Sequence, residues 1–310
     1  MDRERLAQLP LNGRDFGFLA LLEPGVVPNN TGAVNTPFGG KWSNFMVNGQ
    51  LDQDTLFLMD GSDINDLFSG RTPGGSNGLL LGLDSVEEFR VLLNNYHAEF
   101  GRDSGGVIHV VTRSGSNHLH GSLYDYLRNS TLDAKNFFDS PSQAIPAFRR
   151  NQFGASLGGP LRKDRAFFFF NYEALREDKG ITSVATVLSQ RARRGIFPDP
   201  ANPTQTIQSP VAPAAVPFLN LYPVPNLPDN ADGKTAGLLS FGNQPTVQDY
   251  GLVRVDHRLG AATSAVGRMT IQSGSSTIPY HGSSVPGFPD EVPHRNIYAQ
   301  IGRASCRERV

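Results

Sequence analysis

LDSVEEFRVLLNNYHAEFGRDSGGVIHVVTRSGSN, residues 83–117, is the stretch on which the fold turns. Its first part carries Val86, Phe89, Val91, Leu92 and Leu93. That apolar run reads as a short helical turn leading into a strand. An irregular piece follows, Ala98-Glu99-Phe100-Gly101. After Gly105-Gly106, the alternating run Val107-Ile108-His109-Val110-Val111-Thr112 predicts a second strand. Arg113-Ser114-Gly115-Ser116-Asn117 closes it as a turn cluster.

Downstream, from His118, the pattern changes to long alternating strands. Over residues 151–161, Phe153, Ala155 and Leu157 share one face, and Gln152, Gly154, Ser156 and Gly158 the other. Apolar outside and small or polar inside is the pattern of a transmembrane barrel strand. After the charged turn 161–165, Ala166, Phe168, Phe170 and Tyr172 lie opposite Phe167, Phe169, Asn171 and Glu173. Over residues 250–258, Gly251, Val253 and Val255 oppose Leu252, Arg254 and Asp256. Past the turn 260–264, Ala265, Gly267, Met269 and Ile271 oppose Val266, Arg268, Thr270 and Gln272. The strand 120–129 alternates less cleanly: Leu123, Asp125 and Leu127 face away from Tyr124 and Tyr126. The connections 130–150, 180–247 and 273–295 are long, whereas 161–165 and 260–264 are short. Alternating short turns and long loops belong to an outer-membrane barrel. The expected membrane-facing set is Val253, Val255, Met269 and Ile271, with Arg254, Asp256, Arg268 and Gln272 facing the lumen.

Upstream, Asp15 caps a predicted helix whose apolar face is Phe18, Leu19, Leu21 and Leu22, stopped by Pro24-Gly25. Residues 26–41 read as loop. Phe45-Met46-Val47-Asn48-Gly49 and Thr55-Leu56-Phe57-Leu58-Met59-Asp60-Gly61 read as strands. With the two strands of the opening stretch they make an expected sheet of about four.

Bulk properties narrow the class. A net charge of -1 gives no electrostatic case for nucleic acid. The longest apolar runs fall far short of the ~20 residues of a spanning helix, but strands would not show in such a scan. The 33 glycines and 22 prolines favour strands, turns and long loops. The charged start, Met1 to Arg5, lacks the apolar core of a signal peptide, so residues 1–8 read as a truncated remnant. Residues 301–310, IGRASCRERV, match the translation of a short-read sequencing adapter and read as read-through. Cys306, the single cysteine, lies there, which leaves the rest without thiol chemistry.

The opening stretch resembles the end of the plug domain of TonB-dependent outer-membrane receptors. Leu9-Pro10-Leu11-Asn12-Gly13-Arg14 followed by Phe16, and Tyr222-Pro223-Val224-Pro225-Asn226, are similar to the Oar-like branch of that family. The resemblance covers residues 9 to about 300. It implies an α+β plug at 9–117, and the N-terminal part of an antiparallel transmembrane β-barrel with long extracellular loops at 118–300. About six strands cannot close a plugged barrel, for which the family uses about 22. It further implies import of an unidentified extracellular solute, driven by the proton gradient through TonB. Contact with the TonB complex would run through an N-terminal segment missing here. The other partner is outer-membrane lipid; no cofactor, metal or enzyme activity is implied. The rival expectation is a soluble extracellular β-rich binding or adhesion protein.

Several strings suggest other chemistry. Asp103-Ser104-Gly105-Gly106 is similar to a serine-protease nucleophile motif, but the upstream histidine, His97, is only seven residues away. Gly154-Ala155-Ser156-Leu157-Gly158 fits a nucleophile elbow, yet it sits mid-strand rather than between strand and helix. Asp60, Asp63, Asn65 and Asp66 lack calcium-loop spacing and read as side-chain-capped turns. His118 and His120 could share a strand face as ligands, but no third ligand stands near them in sequence. Arg254, Asp256 and Arg268 read as lumen-side groups that pair across two strands or pack on the plug. No catalytic, cofactor or metal residue is expected.

Overall fold

The computed structural model describes residues 11–28, 45–65, 81–94, 96–97, 100, 104–134, 145–202, 205–280 and 284–305. Residues 1–10, 29–44 and 306–310, with Asp66, Ala98, Glu99, Gly101 and Asp103 of the sequence reading, lie outside them.

The N-terminal part is a small unit of short strands: β1 (Val26–Pro28), β2 (Phe45–Val47), β3 (Leu56–Met59), β4 (Ser62–Asp63), β5 (Val86–Leu92) and β6 (Val107–Thr112). Four of these form a sheet in the order β4-β3-β6-β5. β3 and β6 run parallel, and the other pairs antiparallel. The expected four-stranded sheet forms, with one change of membership. β2 leaves it to pair with β1, Val26 opposite Val47, inside the segment expected to be loop. Its place is taken by β4, which Asp60-Gly61 folds back onto β3. Asp60 (φ 49°) and Gly61 (φ 81°) both take positive φ. A two-residue hairpin of this kind needs that geometry, and Asp-Gly supplies it.

Asp15 caps the first helical segment as expected, its carboxylate accepting the Gly17 N–H at 2.7 Å. The segment Phe16–Leu22 winds as a 3-10 helix. Phe16, Leu19 and Ala20 go inward and Leu21 packs partly against the same core, while Leu22, where the segment ends, is exposed rather than part of the apolar face. These residues join Phe45, Val47, Phe57, Phe89, Ile108 and Val110 in one core. The other face of the sheet buries Leu56, Leu58 and Val107. In the described part of the opening stretch the helical turn comes before the apolar run, at Leu83–Ser85, and the run is strand from Val86 onward; the second strand forms at Val107–Thr112 as read.

The rest is one sheet of long antiparallel strands. They are β7 (His120–Asn129), β8 (Phe148–Arg162), β9 (Ala166–Leu188), β12 (Thr235–Gly260), β13 (Thr263–Ile278) and β14 (Asp290–Ser305). Two short strands between β9 and β12, β10 (Ile196–Pro198) and β11 (Thr206–Gln208), pair with each other. The order β14-β13-β12-β9-β8-β7 makes an open wall with an edge at either end, not a closed barrel.

Connections are shorter than the sequence suggested. β9 and β12 stay paired from Ala166–His257 out to Leu188–Thr235, so the loop expected at 180–247 shrinks to 189–234. The loops at 130–150 and 273–295 likewise lose residues to β8, β13 and β14. Uncharged, β-branched stretches such as Thr182-Ser183-Val184-Ala185-Thr186-Val187 carry the strands onward. β14 runs through Ser305, into the segment read as adapter, by pairing with β13 as far as Thr263. Such pairing uses main-chain groups that every non-proline residue carries.

The facing assignment holds. Val253 (49 % exposed), Val255, Met269 and Ile271 point away from the small unit. Arg268, Thr270 and Gln272 are buried on the opposite face.

Candidate functional site

The chemistry of the molecule concentrates in the seam where the small unit meets the inward face of the wall. Three polar clusters build it.

The first centres on Asp60. The Asp60-Gly61 turn projects this carboxylate toward β12 and β13. Within the small unit it is fixed by Thr112, whose N–H donates to Oδ1 at 2.8 Å and whose hydroxyl donates to Oδ2 at 2.7 Å. From the wall, Arg268 donates to Oδ2 at 2.8 Å and Arg254 to Oδ1 at 3.4 Å. Arg254 also donates to the Thr112 carbonyl at 2.7 Å and forks onto Asp256. Gln300 of β14 donates to the Asp60 carbonyl at 2.9 Å, and Tyr298 to the Ile64 carbonyl at 3.0 Å. Arg254 and Arg268 stand directly opposite each other in the β12–β13 register. Like charges across a strand pair repel, and two carboxylates balance them, Asp60 from the other unit and Asp256 on β12.

The second centres on Glu173 of β9, which has no solvent exposure. Its carboxylate accepts from Gln152 at 2.5 Å and from the Gly82 N–H at 3.0 Å. Gln152 also donates to the Gly13 carbonyl at 3.0 Å. Arg14 lies 4.0 Å from Glu173 and 3.0 Å from Asp84, its guanidinium 4.1 Å above the Tyr124 ring. Burial works against the charge on Arg14, but the Glu173 and Asp84 carboxylates outweigh it and raise its pKa. Ser85 and Tyr250 touch hydroxyl to hydroxyl at 3.1 Å.

The third holds the connection between the units. Asn117 donates its side-chain amide to Asp164 Oδ1 at 2.6 Å and accepts the Asp164 N–H at 2.8 Å. A Cβ on Gly115 would sit 2.2 Å from the Phe168 carbonyl oxygen, so only glycine lets the connection lie this close to the wall.

The sequence motifs find other roles. Asp63 accepts the Asn65 N–H at 2.9 Å, and Asn65 in turn bonds the Phe57 N–H and the Thr55 carbonyl. These are the side-chain-capped turns expected, with Asp60 turned to the wall instead. His120 stacks on Phe169, and its Nδ1 lies 3.0 Å from the His118 carbonyl, so the pair meets ring to backbone. Ser156 lies within β8 and pairs with Ser122 at 2.7 Å. Ser104 and His97 are both exposed, and no hydrogen bond joins them among the described residues. Of the two readings of Arg254, Asp256 and Arg268, the structure bears out packing on the small unit: both arginines reach Asp60, and Arg254 pairs with Asp256 on its own strand. Sequence reasoning missed Asp60, Glu173, Arg14 and Gln152 as seam residues. The parity that turns Phe169 and Asn171 inward also turns Glu173 inward; nothing local marks Arg14.

Comparison with known proteins agrees with this architecture. Residues 111–304 match the family model for the outer membrane beta barrel domain. The chain is 32% identical over 164 residues to the TonB-dependent transporter Oar of Myxococcus xanthus, covering 51% of this chain and 14% of Oar. It is 29% identical over 171 residues to the probable TonB-dependent siderophore receptor PirA of Acinetobacter baumannii, covering 52% of this chain and 20% of PirA. Among solved structures, the outer membrane transporter YddB from Escherichia coli superposes with a TM-score of 0.61 at 11% identity. That superposition covers 99% of this chain and 36% of YddB, and it speaks for the fold alone.

Proposed function

This chain belongs to the outer membrane beta barrel domain family, and from that premise we propose that it is the plug and first barrel strands of an Oar-like TonB-dependent transporter. It resides in the outer membrane of a Gram-negative bacterium. Residues 9–117 act as the plug and 118–300 as the beginning of the barrel. TonB, drawing on the proton gradient, pulls the plug and lets an extracellular solute pass.

The observation that carries this reading is the seam. A unit with its own apolar core is joined by ion pairs and hydrogen bonds to the polar face of a sheet whose other face is apolar. Removing one partner of a buried pair costs about 3–5 kcal/mol because the other charge is left buried alone, so these pairs fix where the plug sits at rest until work is done on it. A soluble binding protein would leave Val253, Val255, Met269 and Ile271 in water, and nothing in the structure favours that reading.

The test needs no knowledge of the solute. Ser85→Cys places a thiol in the buried seam of the full-length receptor. In energised cells a maleimide reagent should label it faster than in cells treated with a protonophore or lacking TonB. Equal labelling in all three would sink the proposed mechanism.

A further inference from the structure

The β9–β12 hairpin runs past the rest of the wall. β8 leaves β9 where Phe148 faces Lys179, and Gly180 donates its N–H on that side to the Ala147 carbonyl. Beyond this point β9 continues to Leu188 paired only with β12 among the described residues. Antiparallel residues point their peptide groups alternately to the two sides of a strand. Ser189 bonds toward β12, donating to the Lys234 carbonyl at 3.0 Å, and Gly180 bonds away from it. Thr182, Val184, Thr186 and Leu188 therefore direct N–H and C=O outward, spaced about 7 Å apart along the strand.

The other edge of the same hairpin is closed by the chain itself. The Asn226 side-chain amide donates to the Leu239 carbonyl and accepts its N–H, each at 2.8 Å. Leu227 donates to the Gly237 carbonyl at 3.0 Å and Asn230 to the Thr235 carbonyl at 2.8 Å. Pro245 stands where β13 joins. Proteins blunt open edges with cover, charge, proline or bulges. The β12 edge has cover and proline. The β9 edge, Gly180-Ile181-Thr182-Ser183-Val184-Ala185-Thr186-Val187-Leu188, has neither charge nor proline, and Val184 is 65 % exposed.

We propose that this open edge, residues 182–188, is a strand-addition site that binds an extended segment of another polypeptide. An alternating row of peptide donors and acceptors is matched only by the peptide groups of another extended chain. The entering strand would continue, in line, the ladder that β8 already makes with β9. Recognition would rest on main chain, with Val184 offering one apolar contact. Placement of the edge outside the cell rests on the proposed membrane orientation; the open ladder itself does not.

The experiment uses the full-length receptor in detergent micelles, its folding checked by heat-modifiable gel mobility. The probe is a fluorescein-labelled octapeptide of alternating threonine and valine, read by anisotropy. Binding to wild type and to Val184→Thr is expected. Val184→Pro, which removes an outward donor but none of those facing β12, should weaken it at least tenfold. Should Val184→Pro fail to fold, Thr186→Lys serves, since an edge lysine blocks pairing. The same peptide N-methylated at its four central residues should not bind. Failure of the peptide to bind folded wild type, or unchanged binding to the proline and lysine variants, would overturn the proposal. So would a dimer of the receptor that dissociates on edge substitution, since a second copy would then own the edge. Loss of energised labelling at Ser85→Cys with peptide binding intact would defeat the transport reading alone.

Discussion

In β3 and β6 both faces are apolar: Phe57, Met59, Ile108 and Val110 pack into one core, Leu56, Leu58 and Val107 into another. In β12 and β13 the apolar residues Val253, Val255, Met269 and Ile271 face outward, while Arg254, Arg268, Thr270 and Gln272 face in. The small unit is thus organised like a water-soluble domain and the wall is inside out. Period 2 is common to both; the medium on each side of the strand differs. The wall meets the small unit largely through polar side chains, but one apolar cluster bridges them, Leu81 packing on Phe169, Leu175, Tyr250 and Leu252, so parting the two would expose that cluster as well.

The largest effect should come from Asp60. Asp60→Ala removes the carboxylate shared by Arg268, whose side chain is 1 % exposed, and Arg254. Arg254 keeps Asp256, so the loss should be about 3 kcal/mol, the low end for stranding a buried charge. It should appear as faster amide hydrogen exchange in β6, where Thr112 also loses its partner, with heat-modifiable mobility of the barrel unchanged. Unchanged exchange would mean the two regions are held together elsewhere. Arg268→Ala, harmless if facing alone mattered, should loosen the same strand.

Next comes the wall's outer face. Val253 lies in the row Leu157–Phe170–Val253–Met269–Ala299, midway along the outward apolar band. Val253→Arg in the full-length protein should cost about 2–4 kcal/mol of folded barrel, the usual cost of arginine facing hydrocarbon near the midplane. Val253→Leu should be neutral. Heat-modifiable mobility reads both. An arginine variant that folds as well as the leucine one would put this face in water, and the contrast between the two regions would collapse.

Much of this was legible in residues. Alternation gave the wall strands and their facing, because a one-residue slip would expose every apolar side chain to the wrong side. The Asp60-Gly61 dipeptide, which turns the chain back into β4 and aims the key carboxylate, reads in sequence only as a strand end with side-chain-capped turns after it. Three things were not legible. Strand length beyond the membrane was lost because polar and small residues such as Ser183 and Gly242 pair in β9 and β12 without a hydrophobic pattern to reveal them. The choice of β1 over the main sheet as partner for β2 depends on packing between segments distant in sequence. Partners such as Arg14 and Glu173, 159 positions apart by their numbers, meet only through the tertiary fold.

The smallest effect sharpens the boundary between the regions. Asp164 takes φ 63° in the turn between β8 and β9, and its N–H is held by Asn117 from the connecting segment. Asn117→Ala breaks two exposed hydrogen bonds at once, and solvent replaces both, so about 1 kcal/mol of local stability should go. Asp164→Gly breaks one of the two, since its N–H can still bond to Asn117, and it relieves a left-handed backbone that glycine adopts freely. It should therefore come close to wild type. Amide exchange across residues 113–119 distinguishes the two variants. If both raise exchange equally, the Asp164 side chain carries the clasp and the backbone bond adds nothing. If Asn117→Ala alone raises it, the connection is pinned through the turn's main chain. The small unit would then move about a fixed C-terminal anchor, with the Asp60 and Glu173 clusters opening while this one stays closed.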